Sequence, residues 1–147
     1  MKPNKTVVAN WGHAGQGKSD TVKRIAKIIL NKSGAKSNPS TVDFTYDIQV
    51  IITVQGVKVG IESQGDPNSR LFKSLAWFAE EKCDVIICST RTSGSTVVAV
   101  EDLYSKNGYD NVWVTNYRSN EKNQDQLNQQ SAEDIVKMME TFTRLPH

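Results

Sequence analysis

The run Gly12-His13-Ala14-Gly15-Gln16-Gly17-Lys18-Ser19 restricts this chain more than any other segment, because it joins a short apolar stretch to an amphipathic one. Thr6-Val7-Val8-Ala9 reads as a buried strand leading into it. From Lys18 to Asn31 the apolar Val22, Ile25, Ala26, Ile29 and Leu30 recur at steps of three and four, which predicts a helix, with Gly34 as its stop signal. A glycine-rich turn between strand and helix lets main-chain N–H groups converge on one point, and the helix N-terminus adds partial positive charge there. The spacing G-x-x-x-x-G-K-[ST] adds a lysine and a hydroxyl. Such a constellation binds phosphate: Lys18 neutralises the terminal phosphates and Ser19 Oγ ligates Mg²⁺. Gly12, His13, Ala14, Gly15, Gln16, Gly17, Lys18 and Ser19, with the adjoining Asp20, form the expected nucleotide-binding set. His13 occupies a permissive interior position and reads as a bystander before an acid or base.

Downstream, two β-rich runs, Asp47 to Val54 and Val57 to Glu62, are separated only by Gln55-Gly56. A connection that short cannot cross over a sheet, so the two strands pair antiparallel as a hairpin. The polar stretch from Ala35 to Thr41, with Pro39, reads as a surface loop. Asp66 and Pro67 suggest the N-cap and first turn of a helix that buries Leu71, Leu75 and Phe78. Val85-Ile86-Ile87 marks a buried strand, the hydroxyl-rich loop Ser89 to Ser95 follows, and a helix from Thr96 to about Lys106 leads to a strand over Asn111 to Thr115. The polar segment from Arg118 to Gln130 reads as a loop. The final helix is expected from Ser131, whose spacing to Asp134 imitates a capping box. This order predicts a single α/β domain over residues 1–147, with helices on both faces of a mostly parallel five-stranded sheet and one antiparallel edge strand. Ligands in such sheets bind beyond the C-terminal strand ends, where the glycine loop, Glu62, Arg91 and Asn116 all fall.

The glycine-loop motif resembles that of the P-loop NTPases. The element order resembles the Ras-like GTPase and ATPase branch, in which the strand next to the central one is inserted antiparallel. The resemblance implies a three-layer α/β/α fold that binds ATP or GTP with Mg²⁺. It also implies a magnesium-binding threonine ahead of the hairpin, at Thr41 or Thr45, and a γ-phosphate sensor at Glu62-Ser63-Gln64-Gly65, where the family carries D-x-x-G. Glu62 replaces the usual aspartate and is a candidate metal ligand or base. Asp66 stands where Ras-like enzymes carry a water-orienting glutamine. Asn116-Tyr117-Arg118-Ser119 stands where N-K-x-D would read guanine; Asn116 is thus a candidate base contact, but the missing aspartate favours ATP over GTP. Arg91 is the best candidate for stabilising transition-state charge, ahead of Arg70 and Arg118. The expected catalytic set is Lys18, Glu62, Asp66 and Arg91, and the expected metal set is Ser19, Thr41 and Glu62.

Composition narrows the function classes. A hydrophobic fraction of 37% and a formal net charge of +2 describe an ordinary globular chain with little electrostatic support for nucleic-acid binding. No apolar run approaches the roughly 20 residues of a spanning helix, and no signal-peptide core is visible, so a cytoplasmic protein away from membranes is expected. Cys83 and Cys88 lack a metal-ligand spacing and read as free buried thiols. The leading expectation is NTP hydrolysis. The alternatives are a small-molecule or nucleotide kinase, whose second partner is a phosphoryl acceptor, and a nucleotide sensor with little turnover that acts through a protein partner.

Overall fold

In the computed structural model, which describes residues 4–147, the chain runs β1 (Thr6–Trp11), α1 (Lys18–Leu30), β2 (Lys36–Asn38), β3 (Gln49–Val54) and β4 (Val57–Glu62). It continues with α2 (Leu71–Glu80), β5 (Val85–Thr90), α3 (Ser95–Asn107), β6 (Asp110–Val114) and α4 (Gln124–Phe142). The strands form one six-stranded sheet in the order β2-β3-β4-β5-β1-β6. β4, β5, β1 and β6 run parallel, and β3 is antiparallel to both β4 and β2. The chain is therefore α/β with a mixed, mostly parallel sheet and helices α1 to α4.

Side-chain alternation along β1 divides the core. Val8 packs with Val22, Ile25 and Ile29 of α1 and with Ile135 and Met139 of α4. Val7 and Ala9 point the other way, towards Leu71, Leu75 and Phe78 of α2 and Val100 and Leu103 of α3. Each fully buried Ile or Leu here is worth about 1.5–3 kcal/mol, so these stripes fix which helix covers which face. At the hairpin, Gln55 and Gly56 take φ values of 50° and 82°, the two positive angles that a twist-matched two-residue turn requires.

Four sequence expectations are corrected. The sheet has six strands, because Lys36-Ser37-Asn38 pairs with Ile51 to Thr53 and forms the edge strand β2. This strand carries no apolar alternation, and it is ordered by its ladder with β3. The antiparallel strand β3 is thus covered by β2, and β4 and β5 separate it from β1, whereas the Ras-like pattern placed an antiparallel strand next to the central one. Asp66 does not cap α2, which begins at Leu71 after Arg70; its carboxylate turns to Arg91 instead. Finally, α4 starts at Gln124, capped by Asn123, whose side chain accepts the Gln126 N–H. Ser131 lies inside this helix, and its Oγ accepts the Tyr117 N–H. No helix among the described residues is long and apolar enough to cross a membrane.

Candidate functional site

β1 is buried from Thr6 to Asn10, and α1 begins at Lys18, so the intervening loop is clamped between two fixed ends. Gly15 and Gly17 both hold φ at 76°, a left-handed conformation that costs other residues about 1–2 kcal/mol. The Gly12 N–H donates to Thr90 O, and the His13 N–H donates to Gln16 Oε1. From Ala14 to Ser19 no main-chain N–H has an acceptor among the described residues. These residues line a cavity of about 590 Å³. Its other walls are the 63–69 segment after β4, Asp47 ahead of β3, and Ser89 and Arg91 at the end of β5.

Lys18 is buried beneath this cradle, and its Nζ donates to Gly12 O and Thr90 O at 2.5 Å each. Burial lowers its pKa, and the nearby positive charge of Arg91 adds to the effect, while Asp66 opposes it. Ser19 Oγ donates to Asp47 Oδ1 at 2.5 Å, and Ser63 Oγ donates to the same oxygen at 2.7 Å. Burial works against ionisation of Asp47, but the two hydroxyls outweigh it and hold the carboxyl below the usual aspartate range. In the sequence Asp47 marks only the start of a β-rich run. The available signal was its position, an acid directly before a buried run on the side of the sheet that carries the loop.

The expected acids are placed differently. Glu62 is fully buried and saturated: Arg70 Nε donates to Oε1 at 2.7 Å, Arg70 Nη2 to Oε2 at 3.3 Å, Ser74 Oγ to Oε1 at 2.5 Å and the Gln64 N–H to Oε2 at 2.9 Å. It does not line the cavity. Thr41 and Thr45 are exposed and also lie outside the lining. Asp66 does line it, paired with Arg91 across the mouth through Nη2 at 2.9 Å.

Asn116 and Asp20 belong to a carboxamide chain behind the loop. Asn116 accepts from Asn10 Nδ2 at 2.6 Å and donates to Thr21 Oγ1 at 2.7 Å, to Asn128 Oδ1 at 3.0 Å and to Gln16 O at 3.3 Å. Asn128 Nδ2 donates to Asp20, which also receives Arg24 Nε. Asn116 therefore braces the loop from β6, and its amide is spent there. Asp20 faces α4 instead of the cavity; burial opposes its ionisation, and the bonds from Arg24 and Asn128 still bring its pKa down. His13 is exposed and lines a separate hollow of about 280 Å³ with Trp11 and Arg118. The polar composition of the first turns of α4 hides Asn128 in the sequence, where the 118–130 segment reads as loop.

Cys83 and Cys88 are free and buried, and burial pushes both thiols up to about 12, which leaves them inert. No group of three or more His, Cys, Asp or Glu side chains among the described residues could hold a metal ion by itself. No family model matches the chain, and neither a curated protein nor a solved structure matches it.

Proposed function

We propose that this chain binds a nucleoside triphosphate, ATP in preference to GTP, and hydrolyses it with Mg²⁺, on a three-layer P-loop architecture. The observation that carries the reading is the row of unpartnered N–H groups from Ala14 to Ser19 around a cavity that also receives Lys18 and Arg91. Ala14 and Gly15 are exposed and Gln16, Gly17 and Ser19 half-buried, so these donors are open to a ligand, and their convergence at a helix N-terminus suits an oligophosphate. The preference for ATP rests on the lack of a guanine-reading pair: Ser119 stands where the aspartate would be, and the Asn116 amide is committed to the loop and to α4.

The donor set suits Mg²⁺, which keeps most of its waters and needs few protein ligands. Ser19 Oγ would ligate it, and Asp47, held ionised beside that hydroxyl, would support the ion directly or through water. When bound, Mg²⁺ supplies charge neutralisation to the phosphate oxygens. The protein does the rest. The loop amides hold the phosphates, Lys18 exchanges its two carbonyl acceptors for phosphate oxygens, and Arg91 is placed to meet charge that develops at the terminal phosphate. Asp66 is the carboxylate at the mouth that can accept a proton from an attacking water. Glu62 keeps Arg70 and the start of α2 in place.

One observation favours a second reading, a sensor with little turnover: Glu62 is saturated, and Asp66 is already paired. Calorimetry with Mg·ATP, together with phosphate release, separates the two. Binding with steady phosphate release supports hydrolysis, and binding without release supports the sensor. ADP formed only with an added acceptor would support a kinase, and no heat with any purine triphosphate would refute the nucleotide site altogether. Buried free thiols fit a reducing compartment, and a cytoplasmic setting is part of the same proposal.

A further inference from the structure

We propose that Asp66 is an internal competitor for Arg91 that lowers the preference of the site for triphosphates over diphosphates. The inference rests on reading the cavity as a nucleotide site. Both residues line that cavity, from different walls: Asp66 from the segment after β4, Arg91 from the end of β5. Arg91 Nε donates to Asp66 Oδ1 at 3.0 Å and Nη2 lies 2.9 Å from the same oxygen.

Each backbone is anchored, and the two side chains keep 38% (Arg91) and 66% (Asp66) of their surface in water. The Ser69 N–H and Oγ both donate to Asp66 O, and the Arg91 N–H donates to Thr96 Oγ1. Among the described residues the Asp66 carboxylate has no hydrogen-bond partner except Arg91, so the pair can open without unpairing any other side chain from Asp66. Lys18 feels both charges, which places the pair within electrostatic reach of the phosphate-binding ammonium.

A diphosphate is held by the loop amides and Lys18 and leaves the pair intact. A further phosphate projects past Lys18 towards the opposite wall, where it meets Arg91 in competition with Asp66 for the Nε and Nη2 donors and against the repulsion of that carboxylate. The carboxylate therefore takes affinity from the triphosphate complex alone, and it recaptures Arg91 once the terminal phosphate has left.

The test is calorimetric titration of Mg·ATP and Mg·ADP into wild type, Asp66→Asn, Arg91→Gln and the double variant. Asp66→Asn is expected to raise ATP affinity roughly three- to fivefold, the range of one exposed ion pair, and to leave ADP affinity within about twofold. In the Arg91→Gln background the same change should have no effect on the ATP-to-ADP ratio. An unchanged or lowered ratio in Asp66→Asn overturns the inference. An equal gain with and without Arg91 also overturns it, because general removal of negative charge then accounts for the effect. If ADP and ATP bind to none of the proteins, wild type included, the nucleotide reading fails first and carries this inference with it. Circular dichroism of the exposed-site variants checks that the fold is kept.

Discussion

Asn128 lies so close to Gly17 that a Cβ added to the glycine would come within 2.8 Å of its carboxamide. Helix α4 thus forms the floor under the last glycine of the Gly12 to Ser19 loop. Gly17→Ala is expected to suffer twice, from this collision and from a φ of 76°. A loss of about 1–3 kcal/mol follows, read as a lower Tm or denaturant midpoint. Asn128→Ala in the same background should return only part of it, because the backbone strain remains. Full rescue would show that strain is negligible here.

Asp47 should matter to magnesium before it matters to nucleotide. Asp47→Ala removes the acceptor of both Ser19 and Ser63, and a supporting group of this kind is typically worth about 10–100-fold in metal affinity. The expected result is a Mg²⁺ titration of ATP binding shifted to higher concentration by about that factor, with nucleotide affinity in EDTA little changed. An equal loss with and without Mg²⁺ would place Asp47 in the scaffold alone.

Glu62 is expected to behave as a structural acid. Glu62→Gln breaks a buried carboxylate's pairing with Arg70, whose side chain keeps 36% of its surface in water and so recovers part of the loss. Stability should fall by about 2–3 kcal/mol, below the usual range for fully buried pairs. The rate of phosphate release per folded molecule, measured well below the Tm, should fall less than tenfold. A general base would lose about 10²–10⁴-fold, so kinetics at that temperature decides between the two roles.

Acid should loosen the loop's supports in a defined order of sign. Asp47 and Asp20 both have folded-state pKa values below their ordinary range, against the effect of burial, because of the hydrogen bonds they accept. The folded state therefore binds fewer protons than the unfolded chain around the unfolded pKa of about 3.9. Their contribution is fully present above that pH and is lost as the pH drops through the folded values. Thermal melts should show a constant Tm contribution from these groups above about pH 5, and a decline below about pH 4. In Asp47→Asn the acid slope should be shallower.

Lys18→Ala should weaken Mg·ATP binding by roughly 10–150-fold, the equivalent of about 1.5–3 kcal/mol for a charge-assisted contact. Gly12 O loses its donor in this variant and Thr90 O keeps only the Gly12 N–H, so a melt belongs beside the titration. Unchanged affinity in a folded variant would contradict the site.

What the sequence made legible was everything set by short-range physics. The Gly12 to Ser19 spacing, the helical recurrence of Val22, Ile25 and Ile29, and the two-residue turn at Gln55-Gly56 each carry their conformation locally, and each has its place in the fold. Lys36 to Asn38 was opaque because a polar edge strand takes its order from its neighbour. The first turns of α4 were opaque for a related reason: Gln124 and Asn128 are polar because they meet Tyr117, Asn116 and Asp20. The strand order, with β5 between β1 and β4, depends on contacts that no single segment reports. Asp47 gained its meaning only when the chain ahead of β3 came to rest beside Ser19. Glu62 shows the converse, since an acid at a strand end invited a chemical role until Arg70 and Ser74 were seen to enclose it.

The carboxamide chain from Asn10 through Asn116 to Asn128 also bears on how the protein can be cut. A fragment that stops before Gln124 would retain the whole Gly12 to Ser19 motif and lose the floor on which Gly17 rests. Possession of the motif and possession of its braced conformation are therefore separable properties of this polypeptide, and the second depends on α4.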